Sequence, residues 1–500
     1  MRTIYRNGRV HIHAAGAATA FVVQDGVLTW IGRDDGIGSD SGVPVVDLNG
    51  AFVTPAFVDA HVHLTATGLT LTGLDLSGAA SLREGLDLVE RAARRGRGRP
   101  LIGAGWDDLR WPERRPPTAA ELDRAAYGGS VYLSRVDAHS AVISSALAAS
   151  VPGLADLAGY RPDGWLTRAA HDAARATAFA ALSAGQVRDA QRAALQRAAA
   201  LGIGCVHEMA GPAISSADDL LSALDLAAAE PLPEVVGYWG ELFGIDTARE
   251  LGARGAAGDL FCDGSLGSHT AALREPYADR PDSTGTLRFG TGDLAEHIRQ
   301  CDAAGLQAGF HAIGDAAVDQ VLDAFDAASA QLGRAVGAGH RIEHAEYVRD
   351  PHRLAASGLV ASMQPLFDAT WGGTDGMYAE RLGPHRALAL NRFAELAIAG
   401  VPLAFGSDAP VTELGPWAAV RAAAYPRTPG AAISPASAFT AHTSAGWQAS
   451  GEVGGGQLVG GAPATFAVWD TGNLDVVPGE PLPVCLTTVV RGRELYQLDT

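Results

Sequence analysis

Lysine is absent from this 500-residue chain; all 38 basic residues are arginine. That excludes Schiff-base chemistry and the lysine-containing phosphate loop. Cysteine is scarce. Cys205, Cys262, Cys301 and Cys485 lie far apart with no CxxC pair, so neither a disulfide framework nor a thiolate zinc knuckle is indicated. No apolar run reaches the length of a membrane span, and the N-terminal MRTIYRNGRVHIHAAG has no apolar core before a cleavage site. A soluble protein of a reducing cytoplasm is expected. Positive charge is in deficit: 38 Lys+Arg against 56 Asp+Glu leaves a net charge of −18. Such a surface repels nucleic acid and anionic membranes. The expected partner is a small molecule, and the oligomeric state stays open, a homodimer included. Low-complexity linkers and repeats of solenoid period are also missing.

What is present is a well-packed globular chain, 47% hydrophobic and 19% charged. Its length exceeds one simple core. Residues 1–55 read as short strands and turns, with Gln24-Asp25-Gly26 as a hairpin turn. The stretch 445–500 has the same texture, in GQLVGGAPATFAVWD and CLTTVVRGRELY. Together the ends predict one composite β-sandwich. Between them, residues 56–444 alternate short apolar runs with Ala-rich helical segments such as AAVDQVLDAFDAASAQL. That pattern predicts a parallel sheet with crossover helices. The runs FVTPAFVDAH, GIGCVHE, LPEVVGYWG, GDLFCDG, LQAGFHA, HRIEHAE, LVASMQPL and PLAFGSDA supply eight candidate strands, a number that suits a closed (β/α)8 barrel. Residues 66–190, between the first two, contain RPLIGAGWDD and SVYLSRVDAHS. They read as an insertion over the barrel mouth, with a separate N-terminal domain as the alternative.

Polar residues collect at the carboxyl ends of these runs: His61 and His63, Glu208, Asp263, His311, His344 and Asp408. Barrel enzymes build their sites at that end, whereas core histidines would have no reason to favour it. His61 and His63, at i and i+2 of a strand, point to one side and can reach one cation. Singly, His311 and His344 would be read as hydrogen-bonded core residues. Asp408 follows a buried-type run, where a carboxylate needs a partner; a metal or its water would supply one. His340–His344 spells the inverted zinc-protease signature HxxEH. That mechanism needs a helix, and this segment reads equally well as a strand.

The set of TPAFVDAHVH, GAGWDD, DAHSAVISSAL, DGSLGSHTAAL, HAIGDAAVD, HRIEHAE, FGSDAPV and GQLVGGAPATFAVWD resembles the amidohydrolase superfamily, in the family 3 branch that includes N-substituted formamide deformylases. The resemblance implies a distorted (β/α)8 TIM barrel, of the α/β class, with a composite sandwich. It implies that His61, His63, His311, His344 and Asp408 bind metal, and that Asp408 shuttles the proton. His139, Trp106 and Asp107 match positions near the substrate, and Asp263 is a further substrate-side candidate. Many members bridge two metals with a carboxylated lysine, and here that position is Asp259. A side chain so much shorter is expected to favour one ion, held by His61, His63, His311 and Asp408, with His344 near the substrate. Otherwise a second ion has another bridge, Glu208 or Asp263 by position. Asp259 may equally be a structural carboxylate paired with an arginine. Arg168 stands where the family often has Glu, and SSAL lacks an expected Asn; both departures weaken any transfer of substrate.

Zinc is the expected divalent ion, given imidazole and carboxylate donors. It lowers the pKa of bound water to about 7, and Asp408 would act as general base and then general acid. His344, where not a ligand, would meet the developing oxyanion. The expected activity is hydrolysis of a C–N bond, amide or N-formyl, in a small molecule (EC class 3.5). Deamination of a heterocyclic amine and a non-hydrolytic isomerase or lyase stay open. A barrel without metal that serves only as a binding partner is the reading outside enzymes. Trp106, Trp111, Trp165, Phe367 and Trp371 are candidates for an apolar lining. The acidic composition favours a neutral or cationic substrate, an inference that one arginine in the pocket would invert.

Overall fold

The computed structural model describes residues 2–12, 18–37, 42–96, 100–337, 339–452 and 454–499. Its centre is an eight-stranded parallel sheet. The strands are β1 (Phe57–Val62), β2 (Ile203–Ala210), β3 (Glu234–Trp239), β4 (Gly255–Ala256), β5 (Gln307–Ala312), β6 (Arg341–His344), β7 (Val360–Met363) and β8 (Leu403–Phe405). They lie side by side in chain order. The circle closes where β8 runs on to meet β1. Asp408 N–H donates to His61 O at 2.8 Å and His63 N–H to Ala409 O at 3.0 Å. Seven of the eight runs read from the sequence hold a barrel strand and the eighth adjoins one, so the expected TIM barrel is the fold.

The fourth strand differs in detail. GDLFCDG was expected to be the strand, but regular pairing ends at Ala256. Gly258 takes φ +92°, and a Cβ there would meet Met209 Sδ at 2.7 Å. This left-handed step suits glycine and breaks the ladder. Contact with β5 resumes at Phe261, paired with His311. The break falls beside Asp259.

Helices cover the barrel for the usual amphipathic reason. In Asp315–Leu332, Val318, Val321, Leu322, Phe325 and Ala328 are buried, and Gly333 at φ +65° ends the helix. Burial of one such side chain contributes about 1.5–3 kcal/mol.

Strands from both ends of the chain pair with one another. Arg9–Val10, Phe52–Pro55, Phe466–Trp469, Cys485–Val490 and Arg493–Gln497 form one sheet. It faces a four-stranded sheet of N-terminal strands across a core of Phe21, Leu28, Val53, Phe466 and Val489. After β1, the helix Leu64–Thr72 leads into a five-stranded sheet with strands Leu74–Asp75, Leu101–Trp106, Val131–Arg135, Ser140–Ile143 and Trp165–Thr167. This sheet has its own core, with Trp106, Trp111, Leu122 and Leu133. No helix among the described residues is long and apolar enough to cross a membrane.

Candidate metal centre

Four imidazoles and two carboxylates meet at the carboxyl end of the barrel. In each ring one nitrogen is held from behind. His61 Nδ1–H donates to Glu343 Oε2 at 2.9 Å and His63 Nδ1–H to Met209 O at 3.1 Å. His344 Nδ1–H donates to Gln364 Oε1 at 2.9 Å and His311 Nε2–H to Gly264 O at 3.2 Å. Such outer partners fix the tautomer and aim the other nitrogen. Those other nitrogens face Asp259 and Asp408. His61 Nε2 lies 3.4 Å from Asp259 Oδ2 and 3.5 Å from Asp408 Oδ1. His63 Nε2 lies 3.2 and 3.1 Å from the same two atoms. On the other side, Asp259 Oδ1 is 3.6 Å from His311 Nδ1 and 3.5 Å from His344 Nε2.

These spacings fit a metal. A tetrahedral ion with bonds of about 2.0–2.1 Å holds neighbouring donors ~3.3 Å apart. Three overlapping groups each bring three donor atoms within 4.8 Å of one another: His61, His63 and Asp259; His61, His344 and Asp408; Asp259, His311 and His344. The donor atoms also lack other work. His61 Nε2, His311 Nδ1, His344 Nε2, Asp259 Oδ1 and Asp408 Oδ1 are buried without a hydrogen-bond partner. Buried polar atoms are almost always satisfied, so five orphans around one point call for a cation.

The electrostatics agree. Burial alone would lower the pKa of His63, but the carboxylates of Asp259 and Asp408 overcome it and hold the ring at about 9. Burial and the charge on His344 push His311 down to about 4, leaving it the neutral imidazole a metal requires. Burial would raise Asp408, yet His61, His63 and His344 hold it below the usual carboxylate range. It is ionised at neutral pH and able to take a proton. The backbone is strained at the same place: His344, Ala345 and Asp408 have φ of +69°, +46° and +55°, each costing about 1–3 kcal/mol.

Asp259 overturns an expectation. Its carboxylate was judged too short to span the site, or destined for an arginine. Among the described residues no arginine pairs with it, and one oxygen faces each pair of imidazoles. The backbone carries it there. At Gly240 a Cβ would stand 2.9 Å from Asp259 C and Leu260 N, so only glycine lets this segment come so close. The other bridge candidates are committed elsewhere. Glu208 Oε2 accepts Leu64 N–H at 2.7 Å, and burial lifts its pKa to about 8. Asp263 accepts N–H groups of Ala272, Ile313 and Gly314 at 2.8, 3.1 and 2.8 Å.

The substrate-side expectations need a further correction. Only His139 of the four lines a cavity at the centre, beside His344, Asp408, Phe367, Trp371 and Glu346, with about 330 Å3 of empty space. Its ring lies 5.1 Å from that of His311. Asp263 is enclosed by its three backbone donors. Trp106 is fully buried in the five-stranded sheet, its Nε1–H donating to Leu133 O at 2.9 Å. Asp107 pairs with Arg135 at 3.0 Å. None of the three lines a cavity at the centre, although Asp263 Oδ1 lies 3.5 Å from His311 Nε2, on the side of that ring away from Asp259. Trp111 and Trp165 pack beside Trp106. A second cavity, with about 460 Å3 of empty space, opens on His63 from the side of the five-stranded sheet.

Sequence reasoning missed Glu343, Arg341 and Gln364. Arg341 is fully buried, with Nε–H donating to Glu343 Oε1 at 2.8 Å and Nη1–H to His207 Nδ1 at 2.8 Å. Despite burial, Arg341 and His61 hold Glu343 far below the usual range. The signal was available: an Arg and a Glu at i and i+2 of a buried strand share a face and must pair. The HxxEH decoy is resolved by the same strand. Arg341–His344 is extended, not helical, and His340 Nδ1 accepts Ala308 N–H at 2.8 Å.

Known proteins place this arrangement. The sequence profile of the amidohydrolase family matches residues 44–496. The protein LONG AFTER FAR-RED 3 of Arabidopsis thaliana is 29% identical over 91% of this chain and 84% of its own length. The N-substituted formamide deformylase of Arthrobacter pascens is 24% identical over 93% and 92%. The crystal structure of an uncharacterized metal-dependent hydrolase from Pyrococcus furiosus superposes with a TM-score of 0.75 at 28% identity, covering 95% of this chain and 100% of that one. With the barrel, its donor cluster and a match over most of its length, the chain belongs to the amidohydrolase superfamily, family 3.

Proposed function

We propose that this enzyme hydrolyses the C–N bond of an amide or N-formyl group in a small molecule. The observation that carries the reading is the set of five orphaned donor atoms around Asp259 and Asp408. His61, His63 and Asp408 would hold one divalent ion and His311 and His344 a second, with Asp259 between them. The expectation of a single ion rested on the shortness of Asp259; its place between both imidazole pairs removes that reason and supports two. Imidazole and carboxylate donors favour zinc. Bound there, a divalent ion polarises a carbonyl and lowers the pKa of water to about 7.

The remaining work belongs to the chain. Asp408, ionised by its imidazole neighbours, takes a proton from the attacking water. It returns that proton to the nitrogen as the C–N bond breaks. Glu343 keeps the Nδ1 proton on His61, so Nε2 stays a donor toward the ion. Phe367 stacks on His344 at 5.9 Å and, with Trp371, keeps that side apolar. Cavities flank the centre, one bounded by Phe367 and Trp371 and one by Leu69 and Phe179.

The test is a panel of N-formyl and N-acyl amines, assayed for acid and amine together. Release of both in equal amounts, abolished by a chelator and restored by zinc, is the expected result. Ammonia without acid would replace this reading with deamination.

A further inference from the structure

Four arginines are buried among the described residues: Arg135, Arg175, Arg341 and Arg381. Three have carboxylate partners. Arg135 pairs with Asp107, Asp108 and Asp137, Arg341 with Glu343, and Arg381 with Asp279. Arg175, in the helix Arg168–Ala180, has none at ion-pair distance among the described residues. It is 8% exposed. Its guanidinium carbon lies 5.5 Å from the centre of the Phe179 ring, and its charge reaches Asp172, Asp219 and Tyr132 without a hydrogen bond to any of them. The nearby acids are engaged elsewhere. Asp172 receives Arg288 Nη1–H at 3.1 Å and lies 3.6 Å from His171 Nδ1. Asp219 Oδ1 receives Thr65 Oγ1–H at 2.8 Å and Gln191 Nε2–H at 2.7 Å.

The guanidinium cannot escape by losing its proton. A buried charge without a partner is strongly unfavourable, so its place in the fold needs a reason. Arg175 lines the cavity that reaches His63, whose other walls include Leu69, Ile102, Tyr132 and Phe179. These walls are apolar or aromatic, with Thr70 and Ser134 between them, and Arg175 is the one arginine lining a chamber that reaches the proposed hydrolytic centre. A planar oxyanion is the group that satisfies a guanidinium fork, through two parallel hydrogen bonds.

We infer that Arg175 binds a carboxylate carried by the substrate, on the arm that enters the His63 cavity. The substrate class is therefore an N-formyl or N-acyl compound bearing a carboxylate. This reverses the preference for a neutral or cationic substrate that the acidic composition suggested. The inference rests on the hydrolytic reading of the metal centre, and the experiment separates the two.

N-formylglycine, N-formyl-β-alanine and N-formyl-γ-aminobutyrate are each compared with their own carboxamide, on the metal-loaded enzyme and on Arg175→Met. Methionine keeps an apolar stem against Phe179 without the charge. The wild type is expected to favour at least one acid over its amide by about tenfold or more in kcat/KM, the size of a charge-assisted pair. In Arg175→Met the ratio falls to near one, through KM. A purely structural loss would lower acid and amide alike and leave the ratio unchanged, which would overturn the inference. In parallel, calorimetry follows the same acids binding to metal-free protein. Binding weakened about tenfold or more by Arg175→Met supports the site even where none of the compounds is hydrolysed, an outcome that sinks only the hydrolytic reading. Equal binding by both proteins, or no binding by the wild type, overturns it. Arg175→Gln replaces the methionine variant if that one does not fold.

Discussion

Two buried charged clusters sit within this molecule, and they differ in composition and in satisfaction. Around Arg135, every carboxylate touches the guanidinium: Asp107, Asp108 and Asp137 lie at 3.0, 3.0 and 3.1 Å. Asp137 also accepts Ser268 Oγ–H at 2.8 Å and Ser265 Oγ–H at 3.1 Å, tying the five-stranded sheet to the loop after β4. Around Asp259 the charges are as dense, but five buried donor atoms have no hydrogen-bond partner. The first cluster is complete as a protein and acts as a fastening. The second is complete only with a cation and acts as a site. Residue type and satisfaction both distinguish them: a guanidinium has only donors to give, whereas each imidazole turns a lone-pair nitrogen toward the carboxylates.

The contrast breaks most sharply at Asp408. Asp408→Asn should fold and lose turnover by about a thousandfold or more, read from kcat on a substrate found in the amine panel. A rate near that of the wild type would remove Asp408 from proton transfer. At the other cluster, Arg135→Met strands three carboxylates and should destabilise the fold by about 3–5 kcal/mol. Denaturant unfolding measures this, with metal content per folded chain unchanged. Should the metal be lost as well, the two clusters are not separate devices. Between these extremes lies Glu343→Gln, which keeps the shape behind His61 and removes the charge. Metal affinity should fall about 10–100-fold, measured by competition with a chelator, while Arg341 loses its partner.

The smallest effect is a difference in pH response. In the metal-free chain His63 holds its proton up to about pH 9, against an ordinary value of 6.5. A raised folded pKa means stability fully present below about pH 6.5 and lost as pH rises through about 9. Metal-free protein should therefore lose a few degrees of Tm across that window. Metal-loaded protein, whose imidazoles are already deprotonated, should not. Parallel curves would mean that His63 does not bind the metal.

Much of this was legible in the chain because strand ends carry their chemistry locally. His61-Val62-His63 needs only the two-residue period of a strand to become a pair. His344 was found by its position at the end of an apolar run, although its left-handed backbone is what turns it beside its neighbour Glu343 into the same site. The errors came where distance depends on backbone path. Asp259 was measured against the longer carboxylated lysine of the family, and side-chain length alone does not reveal that the backbone at Gly240 and Gly258 lets the chain approach. Trp106 and Asp107 were expected near the pocket because they match the family's GWD stretch, yet the five-stranded sheet has a core of its own to fill. Glu343 was passed over although Arg341, two residues earlier on the same face, announced its pairing; its second partner, His61, is brought to it only when the barrel closes.

The central claim is that the cluster holds divalent metal about Asp259. Anomalous scattering at the zinc edge, on crystals of zinc-loaded protein, tests it most directly. Two peaks are predicted, one beside His61, His63 and Asp408 and one beside His311 and His344, with the Asp259 carboxylate between them. Density with no peak within bonding distance of these imidazoles would contradict it.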